Sequence, residues 1–369
     1  MKLHIFNPEH DIALAYNRRH QTMPHAAQEL RLNLGWLPAL WADEGDVLLV
    51  DDARYAVKAA SKMKGFCQEV LFLEKTDIRG LRVDDVMPWG WDRNVLAELQ
   101  EAGVVCSSMP SEAQVDIIRQ LSSRRNVPQV LKEVRRGLEP FTCGEAVYAE
   151  SMDDVSRLLK EWGRAVLKAP WSSSGRGVRF VENTLDKTVG GWAERVIRQQ
   201  GGIMVEPYYS KIRDFGMEFE ITDGRVIYCG LSLFETRQQA YTGNILADED
   251  TKREMLARYI DLNLLDEVQR RLEHELELLI GNDYSGPLGV DMMVNTEERG
   301  ERREEREMHQ PSAFSLHPCV EINLRRTMGH VALAFKATPF DVKRLMSIVH
   351  EVNYKLKLSN IENNYVQVL

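Results

Sequence analysis

A short apolar strand that ends in a lysine runs directly into a loop of small residues at positions 166–178. The segment reads Val-Leu-Lys-Ala-Pro-Trp-Ser-Ser-Ser-Gly-Arg-Gly-Val. Small residues allow backbone N–H groups to approach an anion closely, and the serine hydroxyls add further donors. Lys168, at the end of the strand, adds a point charge that suits phosphate. The segment predicts a phosphate-binding loop; an ordinary β-hairpin with a polar tip is the alternative.

Two strands with acidic residues lie far downstream of this loop. Residues 286–294 carry Asp291 in an apolar run, and within residues 317–326 the side chains of Glu321, Asn323 and Arg325 alternate with apolar ones. Alternation places these three side chains on one face of a strand. Carboxylate and amide oxygens are hard ligands that suit Mg²⁺ together with nucleotide phosphate oxygens. We expect a magnesium site; the alternative is a half-exposed strand whose polar face is only solvated.

The order of these features resembles the ATP-grasp superfamily of carboxylate–amine ligases. The strand lysine and its Ser/Gly loop are followed by an acidic hinge at residues 204–208, by an Asp on one strand and by Glu-x-Asn on the next. The resemblance covers roughly residues 110–335. It implies a multidomain α/β and α+β fold, with a Rossmann-like domain at 1–110, a small ATP-grasp lobe at 111–202 and a large lobe with the metal site at 203–369. In the first domain, alternating strands and helices also favour a parallel sheet.

The resemblance also implies roles for individual residues. Lys168 would hold the ATP phosphates, and the backbone around Glu206 would meet the adenine. The other nucleotide-binding positions would be Ser172, Ser173, Ser174, Gly175 and Gly177 in the closing loop, Asp214 at the ribose and Arg237 at the γ-phosphate. The metal ligands would be Asp291, Glu321 and Asn323, and Arg325 and Arg326 would face the transferred phosphoryl group or the substrate carboxylate.

Two positions depart from the pattern of the superfamily. Many members carry a second phosphate lysine at the start of the small lobe, where this chain has Arg124 and Arg125, so an arginine of different geometry would substitute. Many ligases also carry an arginine two residues before the metal aspartate, where this chain has Gly289. These differences concern the placement of the acyl phosphate rather than the nucleotide site.

The activity that the resemblance implies is that of an ATP- and Mg²⁺-dependent ligase. Such an enzyme joins a small-molecule or peptide carboxylate to an amine through an acyl phosphate. A small-molecule kinase on the same fold and a nucleotide-binding protein without catalysis are the alternatives. Loops at residues 7–11, 87–93 and 235–244 are rich in functional groups and are candidates for substrate contacts. Helix capping by His10 or Asp11, and a domain interface at the tryptophans, explain the first two loops equally well.

Composition argues against several classes of function. The net charge of −9 speaks against nucleic acid as a partner, and the chain has no run of about 18 apolar residues, so no membrane span is expected. Five cysteines without a Cys-x-x-Cys pair indicate a reducing compartment. A strand that begins at the first residues predicts no signal peptide. We therefore expect a cytoplasmic enzyme, and a homodimer is compatible with this expectation.

Further expectations concern the large lobe. Glu218 and Glu220 alternate with apolar residues, and we expect them to be solvated strand acids rather than ligands of nucleotide or metal. Residues 251–279 repeat apolar side chains at helical spacing, which predicts one long helix or a pair. The charged stretch at 296–311 predicts a solvated insertion between the two metal strands, and residues 340–354 predict a closing helix.

Overall fold

Three β-sheets organise the chain in a computed structural model of the protein. The structure describes residues 1–172, 177–237, 240–296, 313–335 and 344–361, and of residues 237 and 240 it describes only the backbone. The charged stretch beyond residue 296 therefore lies outside the described residues, as do Ser173, Ser174 and Gly175.

The first sheet has four parallel strands in the order β3-β2-β1-β4. The strands are β1 (Lys2–Ile5), β2 (Val47–Leu49), β3 (Leu71–Leu73) and β4 (Asp85–Pro88), and the helices are α1 (His10–Tyr16), α2 (His25–Leu34), α3 (Ala53–Ala60) and α4 (Arg93–Ala102). Because neighbouring β1 and β4 run parallel, the loops that follow them leave the same edge of the sheet. These loops are residues 6–9 and 89–92, and they meet at the edge where parallel sheets bind ligands.

The second sheet is antiparallel and carries the lysine strand. Its order is β5-β8-β6-β7, with β5 (Val147–Ala149), β6 (Arg164–Lys168), β7 (Val178–Glu182) and β8 (Ile203–Pro207). Four helices belong to this part of the chain, α5 (Glu112–Leu121), α6 (Val127–Arg135), α7 (Met152–Trp162) and α8 (Lys187–Gln200). Ser111 caps α5 in a reciprocal capping box with Gln114, as expected for Ser followed by a polar residue at the third helical position.

The third sheet has seven strands in the order β13-β12-β9-β10-β11-β14-β15. The strands are β9 (Lys211–Thr222), β10 (Arg225–Arg237), β11 (Ala240–Leu246), β12 (Gly286–Thr296), β13 (Phe314–Asn323), β14 (Arg344–His350) and β15 (Tyr354–Asn360). Helices α9 (Glu249–Leu256), α10 (Leu262–Ile280) and α11 (Met328–Ala334) complete this part. The strands β13, β12, β9 and β10 pair with one another in antiparallel orientation. Polar side chains lie on one face of this part of the sheet, and β12 and β9 are its middle strands.

The helix pair predicted for residues 251–279 is present as α9 and α10. Along α10 the side chains of Leu265, Val268, Leu272 and Leu276 are fully buried in the main hydrophobic core. Burial of each such side chain contributes about 1.5–3 kcal/mol relative to an exposed position. This stripe anchors the sheet that carries the acidic strands. No helix among the described residues combines the length and the apolar character that crossing a membrane requires.

The closing helix expected at residues 340–354 is wrong for the part that the structure describes. Residues from Arg344 onward form the hairpin of β14 and β15, which pairs with β11. In β15, Tyr354, Leu356 and Leu358 pack on the second core cluster and alternate with lysines. A period of two therefore fits this segment better than the helical period, because only alternation buries one face of the hairpin.

Candidate active site

The polar face of the third sheet brings the predicted metal ligands together. Asp291 on β12 lies directly opposite Glu321 on β13, and two residues along the strands Gly289 lies opposite Asn323. Directly opposed residues of antiparallel strands have Cβ atoms about 4.5–5.5 Å apart. The fold therefore places two carboxylates and one amide side by side, although they are far apart in the sequence.

This donor set fits a magnesium ion only together with oxygens from a nucleotide. Mg²⁺ in proteins is usually held by one or two carboxylates, and water or phosphate oxygens fill the other positions. The Asn323 Nδ2 donates to Asp291 Oδ2 at 3.2 Å, so the amide also fixes the carboxylate. Across the described ranges, no group of three or more His, Cys, Asp and Glu side chains could hold a metal ion by itself. The metal role of Asp291, Glu321 and Asn323 therefore stays a prediction.

The carboxylate of Asp291 lies in an unfavourable electrostatic environment. Burial, followed by the nearby carboxylates of Glu321 and Glu218, raises the pKa of Asp291 to about 8. Arg325 and the Asn323 hydrogen bond act in the opposite direction but are weaker. A cation placed between Asp291 and Glu321 would relieve this repulsion.

Glu218 is a buried member of this acidic row, and the expectation that it is solvated is wrong. On β9 it lies opposite Gly289, and its side chain is 3% exposed. Its Oε2 accepts a hydrogen bond from Thr327 Oγ1 at 2.8 Å and lies 3.0 Å from His330 Nδ1. Thr327 and His330 form the capping box of α11, so the helix start holds the carboxylate. Alternation alone gave no signal for this burial, because the covering helix comes from a distant segment.

Glycines provide the space that Glu218 occupies. A Cβ atom at Gly289 would lie 2.6 Å from Glu218 Oε2, and one at Gly329 would overlap Glu218 Oε1. Gly289 is the position where many ATP-grasp ligases have an arginine. An arginine there would displace Glu218. The burial of Glu218 therefore requires a residue as small as glycine at position 289.

Lys168 forms a buried ion pair at the start of the lobe interface. Its Nζ lies 2.6 Å from Glu206 Oε2 on the adjacent strand β8, and both side chains are more than nine-tenths buried. Nζ also lies 3.4 Å from the backbone oxygen of Val320 on β13. Burial raises the pKa of Glu206, and Lys168 opposes this shift. The lysine is thus held between the second and third sheets, next to the strand that carries Glu321.

Arg124 joins the same two parts of the molecule. It lies in a 3₁₀ turn at Arg124–Asn126 and is 5% exposed. One terminal nitrogen donates to the Ala169 backbone oxygen at 2.6 Å and to Ser172 Oγ at 2.8 Å, and the other lies 2.6 Å from Glu321 Oε1. Arg125 instead lies over the Tyr148 ring, 5.3 Å from its centroid. Of the two arginines, Arg124 therefore occupies the place between loop and acidic strand.

Arg325 is held by a carboxylate from the first part of the chain. Its Nε and one terminal nitrogen donate to the two oxygens of Asp11 at 2.9 and 2.8 Å, and that nitrogen also donates to Asn323 Oδ1 at 3.1 Å. Burial raises the pKa of Asp11, but Arg325 outweighs it, so the pKa lies below its usual value. The bidentate pair connects the loop after β1 with the end of β13.

Several of these groups line one narrow cleft with a volume of about 20 Å³. The first loop, the small lobe and β13 each supply part of its wall. The lining side chains with polar groups are His10, Asp11, Ser122, Arg124, Ser172, Glu321, Asn323 and Arg325. The loop at 7–11 therefore contributes to the cleft, as its functional groups suggested.

The loop at 87–93 does not line this cleft, and its residues have structural partners. Trp89 is 6% exposed and packs edge-on against Phe6, with ring centroids 5.0 Å apart. Arg93 donates to both oxygens of Asp116 and so joins α4 to α5. The structural interpretation of Arg93 and Trp89 is therefore the better one, and a cosubstrate site must be sought nearer to the first loop.

Several predicted site residues lie elsewhere. Asp214 accepts hydrogen bonds from Lys211 and Thr236 on the polar face of β9 and β10. The Arg326 guanidinium lies 4.7 Å from the Trp41 ring centroid. Gly177 is buried, and its backbone oxygen accepts from the Ala169 N–H at 2.8 Å, which closes the base of the loop. The side chain of Arg237 is outside the described residues.

Comparison with known proteins identifies the fold. No family model matches the chain, and no curated protein matches it. The biotin carboxylase–β,γ-ATP complex from Campylobacter jejuni is 13% identical, with a TM-score of 0.50 over 94% of this chain and 75% of that one. A putative ATP-grasp superfamily protein from Archaeoglobus fulgidus is 10% identical, with a TM-score of 0.44 over 98% and 100%. An N5-carboxyaminoimidazole synthase from Aspergillus clavatus, in complex with ADP and 5-aminoimidazole ribonucleotide, is 11% identical, with a TM-score of 0.45 over 94% and 82%.

At such identities the likeness concerns the fold alone, and the biotin carboxylase with the TM-score of 0.50 is the match that supports it. The chain has the ATP-grasp fold, so the resemblance seen in the sequence is confirmed at that level.

Proposed function

We propose that this ATP-grasp chain is an ATP- and Mg²⁺-dependent ligase that joins a carboxylate to an amine. The observation that carries the proposal is the cleft in which Arg124 and Ser172 face Glu321 and Asn323 on β13 and Arg325 just beyond it. Such convergence of charged groups is costly in a folded protein unless a charged ligand uses it. The biotin carboxylase of the same fold, which is in complex with β,γ-ATP, supports nucleotide as that ligand.

Groups in the cleft and beside it each have a part in the proposed reaction. Lys168 and Arg124 would hold the ATP phosphates, and Asp291, Glu321 and Asn323 would hold Mg²⁺, which would neutralise phosphate charge. Arg325 orients the substrate carboxylate. The carboxylate oxygen attacks the γ-phosphorus, the bond to the β-phosphate oxygen breaks, and ADP and an acyl phosphate form. The amine nitrogen then attacks the acyl carbon, inorganic phosphate leaves, and an amide results.

The organisation of the chain follows the same proposal. We assign residues 1–110 to a Rossmann-like domain, 111–202 to the small lobe and 203–369 to the large lobe. The first sheet lies within 1–110, whereas β8 at 203–207 pairs in the second sheet and so extends the small lobe past residue 202. The substrates are a small-molecule or peptide carboxylate and an amine. A cytoplasmic location is supported by the five cysteines, none of which forms a disulfide in the described part of the chain.

The decisive test measures ADP and phosphate release together. The protein, Mg²⁺ and ATP are incubated with pools of carboxylates, with and without pools of amines. Phosphate that tracks ADP only when both pools are present supports a ligase. ADP without phosphate indicates a kinase that stops after phosphoryl transfer, and ATP binding without ADP release indicates a protein that only binds nucleotide.

A matched pair of variants tests whether the acidic row carries the activity. Asp291→Asn removes the charge that Mg²⁺ needs and should lower turnover at least a hundredfold, on the scale of the loss of a charged group that stabilises a transition state. Asp223→Asn makes the same change at the exposed β9–β10 turn, where Asn tolerates the positive φ of 51°. Equal activities of the two variants would contradict the proposed site.

A further inference from the structure

A buried histidine–aspartate pair lies at the edge where the first sheet meets the cleft. His10 begins α1 and is 1% exposed, and its Nδ1 lies 3.3 Å from Asp92 Oδ2. The two residues are 82 positions apart and come from the loops that follow β1 and β4. In the sequence they belong to two separate candidate loops, so the pair is visible only in the fold.

The partners of Asp92 determine which nitrogen of His10 carries the proton. Asp92 Oδ1 accepts the N–H groups of Asn94 and Val95 at the start of α4. Asp92 Oδ2 accepts from Asn7 Nδ2 at 3.0 Å and faces His10 Nδ1. A carboxylate oxygen can only accept, so Nδ1 carries the hydrogen and Nε2 carries a lone pair.

The Nε2 atom of His10 is buried and has no hydrogen-bond partner among the described residues. A buried polar atom without a partner costs about 1–3 kcal/mol, and such atoms are rare. Gly90 also leaves the space that the His10 ring occupies, because a Cβ atom at Gly90 would lie 2.6 Å from Nε2. A lone pair held in this way needs a donor that the protein itself does not supply.

The cleft supplies the place for such a donor. His10 lines the same cleft as Arg325, Glu321 and Arg124, where the acyl phosphate of the proposed reaction would form. A second buried pair, His4 with Asp46 at 2.9 Å, has similar burial but does not line the cleft. Each of the two rings has a buried nitrogen without a hydrogen-bond partner in the described part of the chain, but only His10 lies beside the cleft.

We propose that His10 is the general base of the second half-reaction and that Asp92 is the residue that positions it. This inference rests on the proposed ligase function. At neutral pH a primary amine is an ammonium ion and cannot attack until it loses a proton. His10 Nε2 takes that proton, the nitrogen–carbon bond forms, and the carbon–oxygen bond to phosphate breaks. Phosphate leaves with the bonding electrons and takes the second proton that the nitrogen must lose to become an amide. Asp92 stabilises the imidazolium that results.

Hydroxylamine, used as the nucleophile in place of a primary amine, distinguishes a general base from other roles of His10. It is largely unprotonated at neutral pH, so it traps an acyl phosphate as a hydroxamate without a base. The variant is His10→Asn, whose amide N–H₂ can still donate to Asp92 while the Nε2 lone pair is removed. With ATP, Mg²⁺ and pooled carboxylates, we expect hydroxamate formation within about twofold of wild type. Amide formation with pooled primary amines should fall about a hundredfold or more, the usual contribution of a general base.

Two more variants complete the experiment. Asp92→Asn keeps an oxygen to cap α4 but reverses the preferred tautomer of His10, so it should show the same split between hydroxylamine and amine. His4→Gln is the matched control, and it should change neither reaction. If His10→Asn does not fold, His10→Gln takes its place and should give the same split.

The outcomes are distinct. A His10 variant that loses hydroxamate and amide formation equally, or that keeps both, would overturn the role as general base. A wild-type protein that forms no hydroxamate with any carboxylate would remove the ligase function itself, and this inference with it. The split in the His10 and Asp92 variants, absent in His4→Gln, would support the proposal.

Discussion

The guanidinium of Arg124 lies 2.6 Å from the carboxylate of Glu321, across 197 positions of sequence, and so ties the small lobe to the acidic strand β13. Its other terminal nitrogen holds Ser172 at the start of the Ser/Gly loop. A lysine could reach one of these acceptors but not both sides, because its charge is a single point. The arginine at this place therefore serves as a connection between lobes, in addition to any contact with phosphate.

Arg124→Lys should raise the Kd for ATP about ten- to hundredfold, which corresponds to a loss of about 1.4–2.8 kcal/mol in binding free energy. The reason is that a planar guanidinium, which contacts several acceptors at once, is replaced by a single ammonium group. Isothermal titration calorimetry with ATP measures this change in Kd. The matched control is Arg125→Lys, one residue on, where the side chain lies over Tyr148. Similar effects of the two substitutions would show that the position of Arg124 in the cleft has no special importance.

Lys168→Ala should weaken ATP binding and also destabilise the fold. The sequence suggests only the first effect, but Glu206 is buried against Lys168 and would be left without its partner. Breaking one side of a buried ion pair costs about 3–5 kcal/mol. The double variant Lys168→Ala/Glu206→Gln removes the stranded charge, so it should recover most of the stability in urea unfolding.

The same double variant should not recover the affinity for ATP, because the positive charge is still missing. Both properties can be measured on one preparation. If the double variant bound ATP as the wild-type protein does, Lys168 would not be a phosphate ligand, and the assignment of the loop would have to be revised.

Local periodicity predicted the parts of the fold that depend on neighbours in sequence. The alternation at Glu321 and Asn323 correctly indicated one strand face, although the strand ends at Asn323 and Arg325 lies beyond it. The apolar spacing of residues 251–279 indicated α9 and α10. Asp291 could be proposed as the neighbour of Glu321 only through the resemblance to ATP-grasp proteins. Their opposed register is a property of strand pairing, which a single sequence does not contain.

The errors have a common physical origin in contacts between distant segments. Glu218 has the pattern of a solvated strand acid, but the start of α11 covers it through Thr327. Arg93 has the appearance of a substrate ligand, but Asp116 on α5 engages it. In each case the contacting residue is distant in the sequence. Charge and alternation therefore indicated the residue but not what surrounds it in the fold. The same reason hides the pairing of His10 with Asp92.

Two helix glycines should respond to alanine in opposite directions. Helix propensity alone favours Ala over Gly by about 1 kcal/mol. At Gly190 in α8 a Cβ atom would meet nothing within 4 Å, so Gly190→Ala should stabilise the protein by up to that amount. At Gly329 in α11 it would overlap Glu218 and lie 2.5 Å from Ser232 Oγ. Overpacking costs about 1–3 kcal/mol, so Gly329→Ala should be destabilising on balance.

Thermal unfolding of both variants measures the difference, with wild type as the reference. The variant Gly329→Ala should also lower turnover, because Glu218 would be pushed toward Asp291. An increase of the Tm by both substitutions would mean that α11 can move away from the sheet, and that Glu218 is not held as tightly as its contacts with Thr327 and His330 suggest.

The protein should lose stability in mild acid partly because of His317. Burial, together with the positive charges of Lys168 and Arg135, lowers the pKa of His317 from 6.5 to about 3. Both ring nitrogens are buried without hydrogen-bond partners among the described residues. Above pH 6.5 the ring is neutral in the folded and unfolded states, so it contributes no pH dependence. Between pH 6.5 and 3 only the unfolded state binds the proton, so the free energy of unfolding falls by about 1.4 kcal/mol per pH unit.

His317→Leu should remove this part of the acid sensitivity, because the unfolded state then gains no proton at this position. Urea unfolding at pH 7 and at pH 5 measures it. The stability lost between the two values should be smaller in the variant than in wild type by about 2 kcal/mol, the product of the slope and the pH interval below 6.5. The control is His25→Leu at an exposed position, which should leave the pH dependence of wild type in place. An unchanged loss in His317→Leu would mean that acid reaches and charges the ring within the folded protein, and that the packing around Gly144 and Tyr209 opens easily.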